Sequence, residues 1–355
     1  MERYLQRDED DIAVNRLDIY DLFCGIGGFS TGARDAGHRV AFGCDLNIDA
    51  LCAHAANHPE AGHAALEFPV DEDAILRALP GQDAQRQWHL HGSPPCTDLS
   101  NAKTDRASES DKQNALDLTT WFLNLAVHKC APTSFSFEQV AVARVCDACE
   151  AFQRANHRDF AYAVLHLNDY GIPQLRRRII GGTPWLVRRL LRRFRSFPSY
   201  FSAPQCWIGS ERCLASHICW PKYRTSRTTL KPTPRKLAPS EIRKTHVSKP
   251  CYSVTTISPL YWISEAGDVD ALLSVDALAR LQTFPRSTVF PSGLTLARRL
   301  IGNAVPPRIA MLLLQDYRAP RRALRGAAPA GDNMEATLPD APTSPCACIF
   351  EGVSS

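Results

Sequence analysis

Short apolar runs alternate with stretches of helical periodicity from residue 17 to residue 182. Leu17-Asp-Ile-Tyr-Asp-Leu-Phe23 reads as a strand, glycine-rich Cys24-Gly-Ile-Gly-Gly-Phe-Ser30 follows it, and Thr31 to Ala36 opens a helix. Arg39-Val-Ala-Phe-Gly-Cys-Asp45 is a second strand, ending in an acid. Helices are expected over 49–57 and 71–79, and Trp88 to His91 is the strand that delivers Cys96. Leu116 to His128 carries apolar residues at helical spacing, and Ser134 to Val140 is a strand with Glu138 near its end. Phe160 to Leu167 alternates imperfectly, and the chain from Asn168 turns into a further strand by Gly182. Strand–helix alternation sustained over this length predicts an α/β fold, a Rossmann-like, doubly wound, mostly parallel sheet.

From Thr183 to Asp270 the rhythm breaks. This stretch is rich in Arg, Pro, Ser and Thr, with Trp207, Trp220, Tyr223, Tyr252, Tyr261 and Trp262 interleaved. Helical periodicity returns over 271–281 and 297–316, with Gly302-Asn-Ala-Val-Pro-Pro307 inside it. The expected organisation is a polar lead-in over 1–16, a ligand-binding and catalytic domain over 17–182, and a smaller domain over 183–270. Residues 271–318 then return to the first domain, and an Ala- and Pro-rich tail over 319–355 is expected to be disordered.

Composition adds little to this, but the distribution of charge does. The 355 residues are 45% hydrophobic and 22% charged, ordinary for a folded chain, and a net charge of +4 does not by itself call for a polyanion. Eight arginines nevertheless crowd into residues 176–195 (Arg176, Arg177, Arg178, Arg188, Arg189, Arg192, Arg193 and Arg195), a block that suits phosphate contacts or a solvated helix face. The 13 cysteines show no framework spacing. Cys146 and Cys149 form a C-x-x-C with no second pair to complete a site, so no metal is expected. The N-terminus is too charged for a signal peptide, and no apolar run reaches the ~18 residues of a membrane span. An intracellular location, with reduced thiols, is the expectation.

Two local constellations carry chemistry. Strand, glycine-rich turn and helix, followed about twenty residues on by Asp45, is the arrangement that binds a nucleoside-like cofactor. The alternative is a plain tight turn. In Gly92-Ser-Pro-Pro-Cys96 two prolines stiffen the backbone and present a thiol on a non-helical turn. The polar run from Thr97 to Lys112 reads as a mobile loop that could close over it, which is what covalent catalysis needs. The alternative there is a buried structural cysteine.

Six stretches taken together resemble the cytosine-5 DNA methyltransferase family. Asp21-Leu-Phe-Cys-Gly-Ile-Gly-Gly-Phe-Ser-Thr-Gly-Ala is similar to its first motif, Gly92-Ser-Pro-Pro-Cys96 to its Pro-Cys motif, and Phe137-Glu138-Gln139-Val140 to its Glu-Asn-Val motif. Gln174-x-Arg176-x-Arg178, Arg280-Leu-Gln-Thr-Phe-Pro285 and Gly302-Asn303-Ala-Val-Pro-Pro match three further motifs, in the family's order across residues 18–315. The resemblance implies a class I methyltransferase fold, S-adenosylmethionine as cofactor and double-stranded DNA as partner, acted on by a monomer.

Its site residues carry over as follows. Cys96 is the nucleophile toward cytosine C6, Glu138 bonds N3 and the exocyclic amine, Arg178 bonds the ring O2, and Arg176 supports Cys96 or the adjacent phosphate. Cations beside Cys96 are expected to lower its pKa. Phe23, Gly25, Gly27, Asp45, Pro94 and Asn303 are the cofactor-binding residues, with Asp45 on the ribose hydroxyls. The target base flips out of the duplex, the loop after Cys96 is the lid, and the 183–270 domain reads sequence in the major groove.

Three departures from the family pattern stand out. Gln139 replaces Asn, the adenine-contacting Asp-Ile pair is missing (Glu67 or Asp71 could substitute), and Asp276-Ala277 replaces an Arg-Glu pair. Three rival readings are a catalytically silent DNA-binding homologue, a tRNA cytosine-5 methyltransferase, whose Cys-Phe-Thr signature does not occur, and a nicotinamide oxidoreductase, which fits the glycine turn but leaves Pro-Pro-Cys96 and Glu138 without work.

Overall fold

The computed structural model describes residues 16–81, 86–96, 99, 108–193, 217–221, 242–246, 250–256, 260–263 and 269–318. Its frame is a seven-stranded sheet. The first half reads β1 (Asp18–Leu22), α1 (Gly28–Asp35), β2 (Arg39–Cys44), α2 (Ile48–Asn57), β3 (Gly62–Ala64), α3 (Glu72–Ala78) and β4 (Trp88–Gly92). Then come α4 (Glu109–Asn124), which runs on as a wide turn over Leu125–Cys130, β5 (Ser134–Val140), α5 (Ala143–Ala155), β6 (Ala161–His166), β7 (Gln174–Leu175), β8 (Arg177–Gly182) and α6 (Pro184–Arg193). The remainder comprises β9 (His217–Pro221), β10 (Ile242–His246), β11 (Cys251–Tyr252), β12 (Tyr261–Ile263), β13 (Val269–Leu272), α7 (Val275–Leu281), α8 (Leu294–Asn303) and α9 (Pro307–Leu314).

The sheet order is β3-β2-β1-β4-β5-β8-β6. Every pairing from β3 to β5 is parallel, and β8 lies antiparallel between β5 and β6. The doubly wound, mostly parallel sheet is therefore the architecture, with one reversed strand that periodicity alone does not announce. β1, β4 and β5 are covered on both faces. Leu22, Leu90, Phe122 and Phe137 pack in the core beneath α3, α4 and α5, while Leu17, Ile19, Phe29, Leu190 and Leu313 pack beneath α1, α6 and α9. Burial on both faces is why β4 and β5 show no alternation of polar and apolar positions.

Local sequence sets the ends of several helices. Asn47 accepts from Ala50 N at 3.1 Å at the start of α2, and Ser274 accepts from Ala277 N at 3.1 Å at the start of α7. Ser108 and Asp111 form a reciprocal capping box on α4. The polar run after Cys96 thus stops being loop at Ser108; of the expected lid, 97–98 and 100–107 lie outside the described residues. At Gly32 a Cβ would fall 2.0 Å from Pro307 O, so α9 crosses α1 backbone to backbone.

α6 falls in the stretch that the sequence assigns to the smaller domain, yet Leu186 and Leu190 are buried in the same core as α9. Its arginines bind that helix's C-terminal end: Arg189 Nη1 donates to Asp316 O at 2.8 Å and Arg193 Nη2 to Gln315 O at 2.8 Å. These two members of the arginine block are therefore engaged within the chain. β9, β10, β12 and β13 form a separate antiparallel sheet, order β10-β9-β12-β13. Most other residues of 194–268, and the tail from 319, lie outside the described residues. Cys24, Cys44, Cys96, Cys130, Cys146, Cys149 and Cys251 are free thiols, whereas Cys52 is disulfide-bonded, against the expectation of uniformly reduced cysteines. No described helix is long and apolar enough to cross a membrane.

Candidate active site

In an open parallel sheet, loops leave in opposite directions where the strand order reverses, and the carboxyl ends of the strands there frame a crevice. Here that point lies between β1 and β4. A cleft of about 570 Å³ opens beside it, within the 300–1,000 Å³ range typical of small-molecule sites. Phe23 reaches it from the end of β1, Asp45 from β2, Pro94 and Cys96 from β4, Glu138 from β5, and Asn303 from the end of α8. Gly25 also lines it.

The glycine loop is a sequence of tight turns. Phe23, Gly25 and Gly27 all take positive φ (59°, 55° and 87°), and Gly27 in the left-handed region caps α1. Asp45 ties this loop down, because Oδ2 accepts from Gly25 N at 2.9 Å and Oδ1 accepts from Asn47 N at 2.8 Å. Burial raises the pKa of this carboxyl, opposed by those two backbone donors. Gly27 is not among the residues that line the cleft. A Cβ there would lie 3.0 Å from the His54 and His58 rings, on the far side of the loop.

Of the predicted catalytic residues Cys96 and Glu138 line the cleft and Arg176 and Arg178 do not; Arg178 Nε stands behind Glu138, 3.0 Å from its Oε1, with both side chains largely buried. Burial is the largest influence on the neighbouring Cys96 thiol and pushes its pKa up. Arg178 opposes this, Glu138 adds to it, and Arg176 opposes it again. The expectation of a depressed thiol pKa is thus reversed: loss of hydration costs the thiolate more than two guanidinium groups return, one of them already paired. Arg176 is buried and works on the backbone, donating to Val254 O at 3.1 Å and to Ala304 O at 3.3 Å. Its Nε has no hydrogen-bond partner among the described residues.

Residues 17–181, the segment that builds this crevice, match the model of the C-5 cytosine-specific DNA methylase family. That match covers 165 of the 355 residues and is a likeness to the cytosine-5 methylase family. The chain is 25% identical over 332 residues to the type II methyltransferase M1.HphI of Haemophilus parahaemolyticus, covering 84% of this chain and 86% of that protein. It is likewise 25% identical to the type II methylase M.HgiDII of Herpetosiphon aurantiacus, across 84% of this chain and 94% of that one. Among solved structures, the S. pombe Dnmt2 methyltransferase shares the fold with a TM-score of 0.52 at 16% identity, covering 84% of this chain and 97% of that chain.

Against the cytosine-5 methylase pattern, the three departures acquire physical content. Gln139, buried where the family has Asn, spans to the cysteine turn: Nε2 donates to Pro94 O at 3.1 Å, and Oε1 accepts from Val140 N at 2.8 Å. Of the two candidate acids, Glu67 lines the cleft. Asp71 instead accepts from Glu67 N at 2.7 Å and closes the local turn. Asp276 pairs with Arg280 at 3.1 Å, one helical turn along α7.

Sequence reasoning missed the glutamines that hold this methylase site together. Gln174 Nε2 donates to Leu281 O at 2.7 Å and Gln282 Oε1 at 2.6 Å, and its Oε1 accepts from Val254 N at 2.7 Å. Gln282 in turn donates to Ala304 O at 2.8 Å. Both stand in quoted motifs, but partners 22 to 108 residues away leave no local signal. Phe68, stacked on Trp121 and edge-on to Phe23, and Arg299 at the end of α8 also line the cleft unforeseen.

Proposed function

We propose that this protein methylates C5 of cytosine in double-stranded DNA, using S-adenosylmethionine and a transient bond between Cys96 and C6. The observation that carries this reading is the meeting, in one cleft, of a stiffly held thiol, a buried carboxylate paired to Arg178, and a glycine loop tied to an acid. The match of residues 17–181 to the C-5 cytosine-specific DNA methylase model supports the reaction type and DNA as substrate, and the likeness to type II methyltransferases agrees with it.

C5 of cytosine is a poor nucleophile, so the methyl cannot be transferred to it directly. The Cys96 thiolate adds to C6, the electron pair moves toward C5, and the Glu138 carboxyl gives its proton to N3. When bound, the cofactor supplies an electrophilic methyl on sulfur, which C5 takes up. Loss of the C5 proton to a base, expulsion of the thiolate and return of the N3 proton to Glu138 then restore the aromatic ring and free both Cys96 and Glu138. Arg178 keeps Glu138 oriented and donates to the ring O2. Arg176 acts at one remove, fixing the 254 and 302–304 backbone beside Cys96.

The cleft fits a nucleoside with an amino-acid arm. Gly25 lets the backbone approach the ligand, Asp45 takes ribose hydroxyls with the lone pairs its two amides leave free, and Phe23, Pro94 and Asn303 complete the walls. A stacked base cannot reach Cys96, so the target flips out, at about a few kcal/mol repaid by contacts elsewhere. Those contacts come from the Arg- and aromatic-rich stretch beyond α6, 194–270.

Two experiments test the proposal. DNA carrying 5-fluorocytosine should leave an adduct on the Cys96 peptide, since fluorine at C5 blocks release; an adduct on another side chain would end the covalent scheme. Cys96→Ala should abolish transfer while S-adenosylhomocysteine binds near wild type, and retained turnover would contradict it.

A further inference from the structure

A hydrogen-bonded chain that the methyl-transfer scheme does not use runs through the middle of the sheet to the cleft. Tyr317 Oη lies 3.0 Å from Ser134 Oγ, which lies 2.8 Å from His89 Nδ1. His89 Nε2 is 2.8 Å from Ser136 Oγ, which is 2.8 Å from His91 Nδ1. His91 Nε2 ends the chain 2.8 Å from Ser93 Oγ, and Ser93 lines the cleft two residues before Pro95. The register explains the assembly: β4 sets His89 opposite Ser134 and His91 opposite Ser136 on β5, so all four side chains share one face. Phe29 stacks on the His91 ring and holds it in plane.

Counting protons fixes the direction of this chain. Burial drives His89 down to about 3 and His91 well below its ordinary value, so both rings are neutral and carry one N–H each. Six groups then hold six hydrogens, and five links consume five. The surplus hydrogen sits at one end or on an interior serine, Ser134 or Ser136, that accepts from both neighbours. On Tyr317, Ser134 or Ser136 it would be a buried O–H with no further acceptor among the described residues, and would cost the full desolvation of that donor. At the Ser93 end it faces the cleft, where ligand or water accepts it. The chain therefore runs Tyr317 to Ser134 to His89 to Ser136 to His91 to Ser93, each group donating to the next.

We propose that Ser93 is a ligand-binding residue, a hydrogen-bond donor aimed into the cleft at an oxygen of the cofactor's carboxylate or of the target nucleotide, its polarity imposed by the buried chain. The ligand assignment rests on the methyltransferase reading; the polarity does not. A serine free to rotate would offer a lone pair or a proton indifferently, whereas here the His91 N–H occupies a lone pair and leaves the O–H as the group available. Ser93 then discriminates in favour of ligands with an acceptor at that point.

The tautomer of His91 tests the polarity on ligand-free protein. Nitrogen-15 imidazole spectra at pH 7.5 should show the proton on Nε2 of both His89 and His91. A proton on Nδ1 of His91 would make Ser93 the donor to the ring and overturn the proposal, whatever the enzyme does. The ligand is tested separately with Ser93→Ala and the hydroxyl-retaining Ser93→Thr, measured by S-adenosylhomocysteine calorimetry and by KM for DNA. Loss of one neutral hydrogen bond predicts a change of about fivefold in one of the two for Ala, restored by Thr. A change in the calorimetry assigns the cofactor as acceptor, and a change in KM alone assigns the nucleotide. No change in either would overturn the role of Ser93. Wild-type protein that transfers no methyl would retire the methyltransferase reading and leave the tautomer result standing.

Discussion

Gln139 joins the strand that bears Glu138 to the turn that bears Cys96: its Nε2 donates to the Pro94 carbonyl across 3.1 Å of buried space. The same side chain accepts from Val140 N. The two groups proposed to act on opposite sides of a cytosine ring are thereby locked to one another through a single amide. Gln139→Leu keeps the volume and removes these two bonds and the longer one to Thr119 Oγ1 (3.4 Å), leaving a buried carbonyl and a buried amide unmet. The expected cost is about 2–4 kcal/mol of stability, as for two orphaned buried groups, read from urea midpoints. Turnover should fall further than S-adenosylhomocysteine affinity, because of the residues proposed to wall the cofactor only Pro94 is held by this amide.

The reactivity of Cys96 should follow the opposing influences on its thiol. Burial raises it and Arg178 lowers it, so iodoacetamide labelling of the Cys96 peptide should climb only on the alkaline side of a free cysteine's midpoint near ~8.5. Arg178→Gln removes the cation and should move the labelling curve to still higher pH. A curve that moves down, or stays, would remove Arg178 from the thiol's surroundings.

Six histidines, His38, His54, His58, His63, His89 and His91, have their pKa values lowered chiefly by burial. A base with a depressed folded pKa contributes stability above its unfolded value of ~6.5 and loses it as pH falls toward the folded one, at up to ~1.4 kcal/mol per group per pH unit. Stability should therefore drop steeply from pH 6.5 toward 4. Asp21 opposes this in part: burial raises it to about 7, so its contribution is present at low pH and lost as pH rises from 3.8 to 7. Asp21→Asn should be the more stable protein at pH 8 and not at pH 4, measured by urea midpoints at both.

The contact between α1 and α9 leaves no room for a methyl group. Gly32→Ala would set a Cβ 2.0 Å from Pro307 O, a backbone atom that cannot rotate away. About 3 kcal/mol or more should be lost, at the upper end of overpacking costs. Because Ala304 and Val305, just ahead of α9, wall the cleft, S-adenosylhomocysteine affinity should fall with stability. Unchanged affinity in a folded variant would show that α9 does not shape the site.

What is local in this protein is written in local sequence. The parallel core strands, the glycine loop, the capped helix starts and the stiff turn at Cys96 each follow from neighbours within about ten residues, and so could be read without coordinates. Asp45 was legible for the same reason, as an acid at a fixed distance from the glycines. Tertiary structure decided whatever depends on residues far apart in the chain. The reversal of β8 is set by pairing with β5 and β6, and Arg176, Arg189 and Arg193, legible only as a block of charge, became ties to carbonyls 78 to 128 residues away. The Cys96 thiol shows the difference most plainly. Its cationic neighbours were visible in the motifs, but the sign of its pKa shift was not, because burial is a property of the packed chain and outweighs them.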